Sequence, residues 1–213
     1  MPAFKIAEVR NSVGLYRAVM GKYPDLRQCF SSELKRAFRD QDVQNKYREW
    51  DANPDLPLVC TTSAEDDAFA VQLSQITGRR FSIASDIQNE YAIRGRERNG
   101  EGQALGNITN TKFYFGNADD EVKAKAFIFS NLLTQGHAHL VHEVPHGANP
   151  DEYKNSYGLI HAVGNVFVRS SDGVLRGAAF NTLEERDARS SESTDGYARR
   201  RSDNIGSVLV ESL

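Results

Sequence analysis

Leu58-Val59-Cys60 is a short apolar run that ends in three consecutive hydroxyl side chains, Thr61, Thr62 and Ser63. A helical stretch follows from Ala64 to about Ile76 and stops at Gly78. Each step has a physical reason. A hydroxyl at the N-cap accepts a hydrogen bond from a backbone N–H of the first turn, so Thr62 or Ser63 can cap. Glu65, Asp66 and Asp67 lie where the helix dipole favours anions. Gly78 can take the left-handed conformation that closes a helix. Arg80–Ile87 then alternates as a strand, with Phe81, Ile83 and Ser85 on one side. This strand, cap, helix and strand order commits the middle of the chain to an α+β arrangement. The expected fold is a helical N-terminal part packed on a mixed, mainly antiparallel β core.

The flanking regions read as follows. Residues 4–50 are largely helical in pattern, with Leu26, Phe30, Leu34 and Phe38 recurring every fourth residue. Residues 11–22 fit either a helix or a short strand over Gly14–Val19. Residues 94–107 are rich in Gly, Arg, Glu and Asn and predict a loop. Lys112–Phe115 predicts a strand, and a helix is expected from Asp119 or Asp120 to Gln135. His137–Val144 predicts another strand. Leu159–Val168 and Val174–Phe180 flank Ser171-Asp172-Gly173, a hairpin signal. Residues 184–203 carry eleven charged side chains in twenty positions and read as an exposed arm, with Ser207–Val210 returning as an edge strand. The expected division is one α+β domain over 1–183 and an arm over 184–213.

Composition narrows the functional classes. A hydrophobic content of 39% supplies a real core. A net charge of −3 gives no reason to expect nucleic acid or an anionic membrane as partner. No apolar run is long enough to span a bilayer, and the first residues hold no apolar signal-peptide core. Two cysteines make no disulfide framework, so reduced thiols are the expectation. The expected location is cytoplasmic, or a host cytosol reached without a classical signal. The oligomeric state is left open.

Three sets of residues carry chemistry. Four of five histidines, His137, His139, His142 and His146, fall within ten residues. Residues 142–146 fit His-Glu-x-x-His, but Pro145 breaks the helix that such a zinc site needs, so no metal is assigned. Cys29, His161 and Asn181 follow the order in which a papain-like hydrolase or transferase places a thiol, its base and the group that orients the base. The plain alternative for Cys29 is a small core residue.

The third set is Gly14-Leu15-Tyr16-Arg17-Ala18-Val19 followed by Thr61-Thr62-Ser63, the helix from Ala64 and the strand Arg80–Ile87. Over residues 14–87 this order resembles the mono-ADP-ribosyltransferases of the cholera- and pertussis-toxin type. The resemblance implies NAD as substrate, with Arg17 on its diphosphate and Thr61, Thr62 and Ser63 bracing the nicotinamide ribose. It implies a catalytic glutamate further on, for which Glu143 and Glu121 are the candidates, and a protein or other macromolecular target, as for a toxin or effector. The plain reading puts Arg17 on an exposed helix face and makes Thr62 or Ser63 an N-cap. A further alternative is a non-catalytic interaction protein that recruits its partner through 184–203.

Overall fold

The computed structural model describes residues 2–24, 29, 53–98, 104–117, 149–179, 188–194, 200–202 and 204–213. The expected helices over 26–38 (Cys29 apart) and 119–135, the strand over 137–144, the four histidines of 137–146, and Glu121, Glu143 and Asn181 lie outside the described residues. In chain order the described elements are β1 (Phe4–Ile6), α1 (Val13–Met20), α2 (Ser63–Thr77), β2 (Phe81–Ile83), α3 (Asp86–Arg94), β3 (Arg96–Arg98) and β4 (Ala104–Ile108). A 3-10 turn at Pro150–Tyr153 precedes β5 (Phe167–Arg169), β6 (Leu175–Arg176), β7 (Ser193–Thr194), β8 (Ile205–Ser207) and β9 (Leu209–Ser212). The fold is α+β, with mixed and mostly antiparallel sheets.

Capping decides the helices. Ser12 caps α1 by accepting from the Leu15 N–H, and Gly21 closes it in the left-handed region. Residues 13–20 are therefore helical rather than a strand. Thr62 caps α2 with a complete capping box: its hydroxyl accepts from the Glu65 N–H, and the Glu65 carboxylate accepts from the Thr62 N–H. Gly78 ends α2 at φ 70°. Ser85 and Gln88 form a second box that starts α3. That box ends β2 at Ile83, four residues short of the alternating run in the sequence.

The first sheet has the order β1-β9-β2, antiparallel throughout. β9 is thus the central strand, not an edge, and Phe4–Ile6 is a strand where a helical pattern was expected. Its inner face packs Ala84, Val168, Val208 and Val210 together, with Phe4 and Ile6 alongside. A second cluster, Tyr16, Leu58, Phe69, Ala70, Ile83 and Leu209, joins α1 and α2 to the same sheet. The Tyr16 and Phe69 rings lie 5.3 Å apart.

The second sheet has the order β7-β6-β5-β8. β5 and β6 form the hairpin read from Ser171-Asp172-Gly173, and β8 runs parallel to β5. A Cβ on Gly206 of β8 would sit 2.8 Å from the Leu58 carbonyl oxygen, so that crossing needs glycine. The 94–107 segment contains the paired strands β3 and β4 rather than loop alone. Parts of 184–203 are built into the fold. Ala188 is buried, Ser190 donates its N–H to Lys112, and β7 pairs with β6.

Cys29 and Cys60 form a disulfide, with Cα atoms 5.2 Å apart. This differs from the reduced thiols expected from the sequence. A count of two cysteines says nothing about whether the fold brings them together.

Candidate functional site

Thr61 and Thr62 belong to a polar knot around the buried Arg169 and Asp66. Thr61 is fully buried and Thr62 caps α2. Arg169 of β5, 1% exposed, donates to the Thr61 carbonyl at 2.8 Å, to the Asp66 carboxylate at 3.0 Å and to the Arg200 carbonyl at 2.8 Å. Arg201 donates to the Cys60 carbonyl and to the Glu65 carboxylate, both at 2.7 Å. Burial pushes the Asp66 carboxyl upward, while Arg169 and the hydroxyls of Thr61 and Ser207 pull it back. Glu65 is held below the usual carboxylate range: burial opposes this, but bonds from Arg201 and Thr62 outweigh it. Thr61 and Thr62 brace Arg169 and α2, while the buried Asp66 Oδ1 and Arg169 Nε have no hydrogen-bond partner among the described residues.

Arg17 lies on the exposed side of α1, one position after the buried Tyr16. Its Nη1 donates to the Tyr23 hydroxyl at 2.7 Å, and its guanidinium stands 4.9 Å from the Tyr23 ring centroid. No hydrogen bond or ion pair joins Arg17 to Thr61, Thr62 or Ser63. Arg17 is thus engaged by Tyr23, while Thr61 bonds Arg169 and Thr62 caps α2. Cys29 is in the disulfide and has no thiol to deprotonate. His161 is buried at φ 53°, a left-handed conformation. Among the described residues no group of three His, Cys, Asp or Glu could hold a metal ion. No helix among them is long and apolar enough to cross a membrane.

A second arginine shows how isolated a buried charge can be in this fold. Arg10 is 3% exposed, and its one bond among the described residues is a long 3.5 Å contact from Nη2 to the Ala162 carbonyl. Its Nε has no partner, and burial pulls the guanidinium pKa down.

Open to solvent, on another part of the molecule, is a cleft of about 680 Å³. Pro2 to Ile6 form one wall, and Tyr91, Ala92, Arg96 and Tyr157 form the other. The rings of Tyr91 and Tyr157 stack at 5.4 Å, and Phe4 meets Tyr91 edge-on at 6.2 Å. The Arg96 guanidinium stands 5.7 Å from the Tyr157 ring centroid, and its Nε donates to the Tyr157 hydroxyl at 3.4 Å. Burial and the Tyr91 neighbour push the Tyr157 phenol upward, so it stays neutral at physiological pH.

Buried Asn155 holds this second wall together. Its amide donates to the Ala92 carbonyl at 2.5 Å at the end of α3, and its carbonyl accepts from the N–H groups of Tyr157 and Leu159. Tyr157 is thereby fixed beside Tyr91. Gly95 lets β3 leave α3 tightly, since a Cβ there would stand 2.7 Å from the Ser156 hydroxyl.

The sequence carries no local sign of this cleft. Its walls come from residues 2–6, the second half of α3, the start of β3 and the turn at 155–159. The alternation Phe4-Lys5-Ile6 is the one usable signal, and three residues are too short to stand out from a helical pattern.

The α+β fold recurs in solved structures. Treponema denticola variable protein 1 superposes with a TM-score of 0.68 at 17% identity, over 99% of this chain and 84% of that one. PvdO from Pseudomonas aeruginosa gives 0.62 at 18%, over 99% and 80%. CarF gives 0.57 at 13%, over 99% and 86%. At these identities the likeness is one of fold, and none of the three is named as an ADP-ribosyltransferase. No family model and no curated protein matches the chain.

Proposed function

We propose that this protein is a non-catalytic binding module that captures a partner in the cleft between β1 and Tyr91, Tyr157 and Arg96. The observation that carries this reading is the cleft itself: an open concavity with an aromatic floor and a cation at its rim. Its volume falls within the range of ligand sites. Aromatic faces give contact area at low entropic cost, and a guanidinium adds direction by pairing with an anion. The favoured ligand group is therefore an aromatic ring next to a carboxylate.

N-acetyl-phenylalanine, with its free carboxylate, is a suitable probe. At about 10 mM, above the millimolar affinity of a weak fragment, it shifts the amide resonances of Lys5, Arg96 and Tyr157. No shifts, or shifts confined to other regions, overturn the proposal. The protein leaves labelled NAD intact. Nicotinamide release that Arg17→Ala abolishes would instead establish the transferase reading.

The disulfide supports work in a compartment where it persists, such as a periplasm or the cell exterior. Alkylation of the unreduced protein then labels neither Cys29 nor Cys60, whereas labelling of both would point to a reducing cytosol.

A further inference from the structure

The register of the first sheet determines what the outer edge of β1, which pairs with no second strand among the described residues, offers the cleft. Phe4 pairs with Ser212, Lys5 with Glu211 and Ile6 with Val210. One step on, the Ala7 N–H donates to the Leu209 carbonyl at 3.0 Å. In an antiparallel ladder, hydrogen-bonded and non-hydrogen-bonded pairs alternate. Ala7 and Lys5 thus turn their N–H and C=O toward β9, and Phe4 and Ile6 turn theirs away. The other side of β9 agrees with this phase: Ser212 donates to Arg80 and Ala84 donates to Val208, so the even-numbered residues of β9 serve β2. The outward groups of Phe4 and Ile6 belong to the strand that walls the cleft.

The charge at the cleft is also unbalanced. Arg94 pairs with Glu90 at 2.8 Å, but Arg96 has two phenols and no carboxylate partner among the described residues. Lys5 reaches Glu211 at 3.9 Å, and Arg79 already holds that carboxylate through two bonds.

We infer that the cleft binds an extended acidic peptide, which adds to β1 as a fourth strand of the sheet. This rests on the binding reading above and names the ligand class. Backbone groups of the peptide pair with Phe4 and Ile6, an aromatic side chain lies on Tyr91 and Tyr157, and a carboxylate meets Arg96. Main-chain pairing would supply affinity, and the side chains would supply choice.

The test uses a pool of acetylated, amidated pentapeptides with Phe at the centre, Val, Ile or Thr beside it, and Asp or Glu at both ends. Amide hydrogen exchange is read residue by residue in the whole chain. With a bound peptide at about ten times its Kd, exchange at Phe4 and Ile6 slows about tenfold, while Lys5 and Ala7 change little. Arg96→Gln weakens binding about fivefold, as loss of an exposed ion pair of about 1 kcal/mol would. It weakens a pool ending in Asn or Gln by less than about twofold, and equal weakening of both pools overturns the carboxylate contact. Peptide binding without protection at Phe4 and Ile6 overturns strand addition. Failure of every peptide, with N-acetyl-phenylalanine still binding, overturns strand addition and leaves the binding reading standing. If neither binds, both fall.

Discussion

Arg169 and Arg96 are the same side chain in opposite settings. Arg169 is 1% exposed, and its guanidinium meets the Thr61 carbonyl, the Asp66 carboxylate and the Arg200 carbonyl. Arg96 is exposed and meets a phenol and a ring face. The first region engages Arg169, Asp66, Arg201 and Glu65 with one another and with backbone carbonyls, and joins α2, β5 and residues 200–202. The second leaves a cation and a strand edge facing solvent. A charge consumed by the fold contributes to stability, and one left over is available to a partner. Thr61 and Thr62 fall in the first region, where one bonds Arg169 and the other caps α2.

The sharpest way to break this contrast is Arg169→Met. It strands Asp66 in the core, and removing one partner of a buried pair costs about 3–5 kcal/mol. Urea unfolding shows the loss as a lower midpoint, and the double variant Arg169→Met with Asp66→Leu recovers most of it. Tyr157→Ala is the matching change in the cleft. Binding of N-acetyl-phenylalanine falls at least about tenfold, equivalent to about 1.4 kcal/mol, with a much smaller shift in the unfolding midpoint.

Arg10→Met sharpens the comparison from the other side. It removes a buried cation with one long bond, and thermal unfolding shows stabilisation of about 1 kcal/mol, at the low end of what replacing buried charge by apolar volume yields. Thr62→Ala removes the cap of α2 and costs about 1 kcal/mol.

The smallest effect concerns Glu65. Its folded pKa is depressed, so its contribution is fully present above the unfolded carboxylate value and is lost as pH falls through the folded one. Glu65→Gln flattens the acid limb of a Tm-against-pH curve by a few tenths of a kcal/mol, because the pair is one-third exposed on the Glu65 side.

Local chemistry explains which parts of the fold were legible in the sequence. Thr62, Glu65 and Gly78 act within one or two turns of α2, and the structure uses them as their residue types suggest. The Ser171-Asp172-Gly173 hairpin is local in the same way. Ser85 and Gln88 were equally local, yet the alternation of Arg80–Ile87 masked their capping box. β1 and β9 are defined by pairing between distant residues, and no window of the sequence contains both. The cleft inherits that problem, because its two walls meet only through the sheet. The disulfide does too, since Cys29 and Cys60 stand 31 positions apart in the sequence.

The central place of β9 has a consequence for how the molecule is made. β1 and β2 each lie against Leu209–Ser212 and not against each other. During synthesis, Phe4–Ile6 is made long before Leu209–Ser212, the one described strand with which it pairs. Joining such remote segments is slow, because loop closure precedes the contacts that reward it. Until then both edges of β1 lack the partner that its own sheet supplies, and an unpaired strand edge is a template for other chains.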